Sequence, residues 1–172
     1  INLSYEAFLK NQKIPQIFVL NDELDYSRIH KISNEFDIDF IIKGNGKEFL
    51  EIEELTRYKS PIIIPINFSN PYDVTNPEAT EWITLEQLKN WESEPYNPMI
   101  LERNNIPFCI TSSELENKKD FIKKLKNAVK KGLSKDEALK ALTTRPAKIL
   151  NAQNILGNLK AGMLANFIIT SG

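Results

Sequence analysis

Short apolar runs alternate with amphipathic stretches along most of this chain. Each run is apolar throughout instead of alternating with polar residues, which is typical of strands buried on both faces of a sheet. The predicted strands are residues 13–21, 38–46, 60–68 and 106–114. Helical spacing of apolar residues predicts helices over 3–10, 23–37, 47–59, 84–91, 99–105 and 117–133. This alternation predicts an α/β fold with a parallel sheet covered by helices.

Residues that begin or end elements are recognisable at several points. Pro65 lacks a backbone donor, so the third strand is expected to end early or to carry a bulge there. Gly132 is placed to end the lysine-rich helix. Ser134 and Glu137 form a capping-box pattern for the next helix, and Thr144 is expected to cap a last short helix.

Composition excludes several classes of partner. The 172 residues include 22 basic and 23 acidic side chains, for a formal net charge of -1. This balance predicts neither nucleic acid nor an anionic membrane as a partner. The longest apolar runs are too short to span a bilayer. The lysine-rich stretch 118–131 is interpreted as the solvated face of a helix.

Single copies of two residue types limit the chemistry of this chain. With one cysteine, Cys109, no intrachain disulfide can form. With one histidine, His30, no site within the chain can contain several imidazoles. The apolar neighbours of Cys109 predict a core position, and His30 falls within a predicted helix, away from any strand end.

The last forty residues resemble the closing segment of the amidohydrolase superfamily. The stretch "GLSKDEALKALTTRPAKILN" is followed by the pattern G-x-L-x-x-G-x-x-A-N before a hydrophobic run. The matching residues are Ala138–Leu139, Ala141–Thr143, Pro146–Ala147, Gly157, Leu159, Gly162 and Ala165–Asn166. More weakly, residues 13–65 are similar to the middle barrel strands of the imidazolonepropionase-like branch, and residues 94–111 to the segment before its last strand.

The resemblance implies a particular fold and a particular position within it. The family has a (β/α)8 barrel, which needs roughly 250 residues, and a β-sandwich built from both chain termini. Four strand–helix units therefore predict a partial TIM barrel, the second half of an amidohydrolase barrel, over residues 1–156. Residues 157–172 are expected to form a turn and a strand returning toward the sandwich. The family's H-x-H metal motif would lie in a first half that precedes Ile1.

The resemblance also implies metal chemistry, which this segment matches poorly. The family uses zinc or another divalent ion to activate water, with ligands at the carboxyl ends of strands. Asn21 stands where the family has a histidine after its fifth strand, and Lys43 where it has one after its sixth. Ser112 or Ser113 stands where it has an aspartate after its eighth. These four residues are interpreted as a vestigial pocket, with no catalytic residue, metal ligand or cofactor assigned to this segment.

Carboxylates near the strand ends offer weaker alternatives. Asp22, Glu23 and Asp25 follow the first strand, where acids at a helix start are common. Glu114 or Glu116 could supply a displaced carboxylate after the last strand. The stretch "KGNGK" is a weak phosphate-binding signal, because it lacks the length and ending of a P-loop.

Three functional hypotheses follow from these residues. The first is a catalytically degenerate fragment of an amidohydrolase-like protein, a family of hydrolases of non-peptide C–N bonds. The second is a working hydrolase whose metal ligands come from the missing half or a partner chain, touching this segment at Glu114 or Asp22. The third is a non-catalytic module that binds a small anion near Lys43 or serves interaction alone. The expected partners are the remaining half of the barrel or a second copy of the chain, and an adjoining active amidohydrolase domain.

Overall fold

The structure of the chain is a computed structural model. The structure describes residues 2–11, 14–22, 24–73, 75 and 81–169. Glu23, one of the carboxylates considered above, lies outside these residues. None of the described helices is long and apolar enough to cross a membrane.

A four-stranded parallel sheet forms the centre of the molecule. Its strands lie side by side in chain order. They are β1 (Gln16–Val19), β2 (Phe40–Lys43), β3 (Ile62–Pro65) and β4 (Phe108–Thr111). The register pairs Val19 with Lys43, Lys43 with Ile63, and Pro65 with Thr111. All four carboxyl ends therefore meet at one edge, as in consecutive units of a β/α barrel.

Helices connect the strands and cover the sheet. They are α1 (Leu3–Asn11), α2 (Asp25–Phe36), α3 (Ile52–Tyr58), α4 (Leu85–Ser93), α5 (Asn97–Arg103), α6 (Phe121–Lys130), α7 (Lys135–Leu142) and α8 (Thr144–Ile149). Short 3-10 turns lie at Glu48–Leu50, Glu94–Tyr96 and Lys118–Asp120. The stretch 47–59, predicted as one helix, is thus divided into a 3-10 turn and α3.

Burial on both faces is confirmed for β2 and β4 and is wrong for β1. The consecutive side chains of Ile41 and Ile42 in β2 are buried, and so are those of Phe108 and Cys109 in β4. In contrast, the side chains of Ile17 and Val19 are 51% and 50% exposed. Ile17 and Val19 are two residues apart and share one face of β1, so it is this face that lacks cover.

Local capping chemistry is confirmed at three of the four positions predicted. β3 ends at Pro65, and Gly132 follows α6 with a φ of 114° that favours glycine. The Ser134 hydroxyl accepts a hydrogen bond from the backbone of Glu137 at 3.1 Å. The expectation for Thr144 is wrong, because it is already the first residue of α8 and the capping position before it makes no side-chain cap.

The Ser134 cap differs from a capping box in its second half. The Ser134 backbone N–H donates to the Glu102 carboxylate at 2.9 Å. The Glu137 carboxylate instead pairs with Arg145. A residue of α5 therefore completes the start of α7, which ties two neighbouring helices together.

The segment after α8 turns back on the molecule without joining the sheet. Leu164 donates a backbone hydrogen bond to Ile155 at 3.0 Å. Residues 157–169 form turns and irregular chain. The strand predicted over the end of the chain is therefore absent from its described part, where no second sheet offers it a pairing partner.

Candidate functional site

The carboxyl edge of the sheet gathers polar residues from all four strand ends. Asn21 follows β1, Lys43 is the last residue of β2, Asn67 follows β3, and Ser112 follows β4. Parallel strands in chain order bring these positions to one edge although they span ninety residues of sequence. This edge is where barrel enzymes build their active sites.

An ion pair between Lys43 and Glu114 lies at this edge. The Asn67 amide also faces the Glu114 carboxylate, with Nδ2 3.4 Å from Oε2. The two ion-pair side chains are 22% and 38% exposed, so solvent reaches both. Of the four residues predicted to line the pocket, Lys43 pairs with Glu114, which the sequence offered only as a weaker alternative. No sequence pattern identifies Asn67 as a member of this site.

The backbone of Asn21 takes part in a local turn before α2, and the role of its side chain in a pocket stays a prediction. Its backbone N–H donates to Asp25 Oδ2 at 2.8 Å. Arg28 donates to Asp25 Oδ1 at 2.8 Å and to Asp22 at 3.1 Å. The Asn21 amide hydrogen bond, followed by the Arg28 side chain, lowers the pKa of Asp25. These acids therefore organise the start of α2, as the simpler interpretation of them expected.

The two serines after β4 stand beside the ion pair without joining it. The Ser113 backbone N–H donates to the Thr111 hydroxyl at 3.1 Å. The Ser113 hydroxyl oxygen is buried and has no hydrogen-bond partner among the described residues. Ser112 accepts a backbone hydrogen bond from Leu115. Their part in a pocket stays a prediction, since Glu114 is the residue of this loop that reaches β2.

Directly behind the edge lies a fully buried carboxylate, Glu48. Its Oε1 accepts from the Gly46 backbone N–H at 3.0 Å, and its Oε2 accepts from the buried Asn97 amide. Asn97 Oδ1 in turn accepts from the Phe49 N–H at 2.9 Å. A Cβ added at Gly44 would overlap Glu48 Oε1. The glycine-containing "KGNGK" loop is therefore shaped around this carboxylate, and no phosphate is needed to explain it.

Burial governs the protonation chemistry behind the edge. Loss of solvent raises the pKa of Glu48, although hydrogen bonds from Gly46 and Asn97 oppose the effect. Burial, and then the nearby Glu48 carboxylate, also raise the pKa of Tyr26. The Tyr26 hydroxyl has no hydrogen-bond partner among the described residues. The sequence signal that could have identified Glu48 is an acid two residues after a Gly-x-Gly turn and directly before the apolar pair Phe49–Leu50.

The single histidine and cysteine lie away from the edge. The His30 ring stacks on Tyr58 with centroids 3.7 Å apart, and it shares a 2.7 Å hydrogen bond with Asn34. The His30 ring therefore lies where α2 meets α3. Cys109 is buried inside β4, and burial raises the pKa of its thiol to about 12. A thiol in that state is a poor nucleophile at neutral pH.

The donor set at the edge does not fit the zinc centre that the family resemblance implies. Zinc in proteins is held by imidazole, thiolate or carboxylate groups. The edge presents amides, hydroxyls and an ammonium, and its carboxylate Glu114 already pairs with Lys43. Within the described ranges, no group of three or more His, Cys, Asp or Glu side chains is placed to hold a metal ion.

Comparison with solved structures identifies similar folds. An amidohydrolase from Thermotoga maritima MSB8 superposes with a TM-score of 0.74 at 18% identity, over 96% of this chain and 40% of that one. An uncharacterized protein gives a TM-score of 0.54 at 15% identity, over 87% of this chain and 36% of that one. No model of a known protein family and no curated protein matches the sequence.

The chain thus has an amidohydrolase-like fold and spans about two fifths of the length of the amidohydrolase it matches. Its four-stranded parallel sheet with covering helices is consistent with a segment of a TIM barrel. At this level of identity the likeness concerns the fold alone.

Proposed function

We propose that this chain is the second half of an amidohydrolase-like barrel, and that its strand ends take no part in metal-dependent hydrolysis. The closing motif implies the amidohydrolase superfamily, which hydrolyses non-peptide C–N bonds, and the weaker resemblance of residues 13–65 implies its imidazolonepropionase-like branch. The fold similarity over 96% of the chain supports the structural part of this proposal. Residues 1–156 would form the half-barrel, and residues 157–172 would return toward a β-sandwich.

The Lys43–Glu114 ion pair carries the functional part of the proposal. A lysine ammonium repels a divalent cation, and two unit charges 4 Å apart interact by about 4 kcal/mol at the effective dielectric of a protein surface. Recruiting Glu114 as a ligand would also take it from Lys43 and Asn67. A metal at this edge would therefore replace an existing arrangement of charges with a less favourable one.

The same ion pair weakens the hypothesis of an anion site at Lys43. An anion there would compete with the Glu114 carboxylate for the Lys43 ammonium. Glu114 has the advantage, because it belongs to the same chain and is already in place. The edge is better described as a self-neutralised surface. In the larger protein it would support the barrel, or face an adjoining active amidohydrolase domain, without chemistry of its own.

Metal content provides the test. In the longest natural polypeptide that carries this chain, we expect Glu114→Gln and Lys43→Ala to leave zinc per polypeptide unchanged, as measured by elemental analysis with hydrolase assays in parallel. Glu116→Gln, an exposed acid two residues further along the same loop, is the matched control. Zinc lost with Glu114→Gln and retained with Glu116→Gln would refute the proposal in favour of a working hydrolase.

A further inference from the structure

A groove lies beside the lysine-rich helix α6, next to the loop that leaves the carboxyl end of β3. This groove has a volume of about 920 Å³. One wall is formed by Phe68 and Ser69 in the loop after β3, and a second by Trp91 in α4 and Pro95 in the 3-10 turn that follows it. The third wall is α6. Such a volume lies at the upper end of the range for small-molecule sites.

The charges around the groove are strongly unequal. Lys123, Lys124, Lys126 and Lys130 lie in α6, which contains no acidic residue, and Lys131 follows it. All five line the groove, whereas its lining includes only two carboxylates, those of Glu92 and Asp120. None of the ion pairs among the described residues involves an α6 lysine.

Two of these lysines are fixed by the protein and three are free to meet a ligand. Lys124 donates to the backbone carbonyl of Phe68. Lys131 lies over the Tyr96 ring, with Nζ 4.8 Å from its centroid. The other three, at positions 123, 126 and 130, are exposed.

The free lysines are spaced so that they repel one another. Lys123 and Lys126 are three residues apart, and Lys126 and Lys130 are four apart, which places each pair on neighbouring turns of one helix. Like charges at these spacings destabilise a helix. A bound polyanion would reverse this effect, because each lysine would then face an opposite charge.

The opposite side of the groove offers apolar and aromatic surface. Trp91 is partly buried, and it lines the groove together with Pro95. An indole face favours stacking with a flat aromatic group. The groove therefore combines a cationic rim on α6 with a stacking surface on α4.

We propose that this groove binds a nucleotide, with its polyphosphate along Lys123, Lys126 and Lys130 and its base against Trp91. The inference is independent of the metal chemistry of the carboxyl edge. It adds a ligand to the solvated helix face, since the exposed lysines of that face line a groove together with Trp91.

Tryptophan fluorescence gives a direct test, because the chain has two tryptophans and Trp82 is 83% exposed outside the groove. In a Trp82→Phe background, ATP should change Trp91 emission saturably, and added salt should weaken the binding. Lys126→Glu/Lys130→Glu should weaken it on the order of tenfold or more, since each exposed charge pair contributes modestly and both are reversed. Lys135→Glu/Lys148→Glu changes net charge equally outside the groove and should have little effect.

Inorganic tripolyphosphate serves as the second probe and is followed by calorimetry. We expect it to bind more weakly than ATP, and Trp91→Leu to remove that difference. Equal weakening by both double-lysine variants would overturn the proposal by showing binding to net charge alone. Equal affinity for the two probes would overturn the stacking role of Trp91, and no binding of either probe at millimolar concentration would overturn the site.

Discussion

At the scale of single residues, Glu48 shows how one buried carboxylate shapes the strand edge. It binds the Gly46 N–H and the Asn97 amide, and it occupies the space beside Gly44. The loop that carries the chain from Lys43 to α3 is therefore built around a side chain that solvent does not reach. Two predictions test this arrangement.

The first concerns the close approach at Gly44. A Gly44→Ala methyl would overlap Glu48 Oε1, so we expect a loss of about 1–3 kcal/mol in the free energy of unfolding, measured by urea denaturation. A double-mutant cycle with Glu48→Ala separates this contact from other effects. Gly44→Ala should cost clearly less in that background, and equal costs in the two backgrounds would refute the steric explanation.

The second concerns the protonation of Glu48. Burial raises its folded pKa above the ordinary value near 4.5, so the folded state binds a proton that the unfolded state has already released. Stability contributed by Glu48 is therefore complete below the ordinary value and is lost as pH rises toward the folded pKa. The side chain in Glu48→Gln cannot titrate, so this variant should show no such loss of stability as pH rises.

The measurement is the difference in unfolding free energy between Glu48→Gln and the parent chain across this pH window. It should shift in favour of the glutamine variant as pH rises. The glutamine also changes the hydrogen bonds with Gly46 and Asn97, but that effect is constant with pH and leaves the slope interpretable. A difference that stays flat, or shifts in favour of the parent, would contradict the raised pKa.

At the scale of elements, the start of α7 depends on a cap that the sequence predicted correctly. The Ser134 hydroxyl satisfies the backbone N–H of Glu137. Ser134→Ala should therefore lower the free energy of unfolding by about 1 kcal/mol. Ser134→Thr keeps an acceptor oxygen and is the control. An alanine variant as stable as the parent would mean that Glu102, which binds the Ser134 backbone, is sufficient to begin the helix.

Elements were predictable where the deciding interactions are local, and less so where they depend on neighbours. Pro65 and Gly132 act through their own backbones, so the ends of β3 and α6 could be read directly. The exposure of Ile17 depends instead on what packs against that face of β1, which an apolar run does not specify. The closing strand also depends on a distant partner, and the described residues 157–169 form no strand.

The candidate site was predictable in position and only partly in composition. Lys43 was identified because it ends a strand, and carboxyl ends of parallel strands meet. Its partner Glu114 is 71 residues away and stands one residue beyond the serines predicted to line the pocket. A positive φ of 70° at Glu114 accompanies its position in that loop. Loop geometry decides whether Ser113 or Glu114 reaches Lys43. The pattern of apolar residues carries no information about that geometry.

At the scale of the whole molecule, apolar surface is left uncovered on one side of the sheet. Ile17 and Val19 of β1 are half exposed, and α1, which precedes β1 in the chain, has no buried residue. The α1 side chains of Leu3, Phe8 and Leu9 are also exposed by more than half. An edge strand with this much apolar surface favours pairing with another chain or domain. The barrel segment that the proposed function places next to β1 would provide that cover.

We therefore predict that the 172-residue chain associates with itself when it is studied alone. Sedimentation velocity should show a concentration-dependent species larger than the monomer. Ile17→Thr/Val19→Thr keeps β-branched side chains while removing apolar surface, and it should weaken association roughly tenfold, or ~1.4 kcal/mol. Leu139→Thr, which removes apolar surface from an equally exposed helix position on α7, should leave association unchanged. A compact monomer at every concentration would show that the β1 edge is tolerated without a partner, and it would remove the main physical reason for a missing half of the barrel.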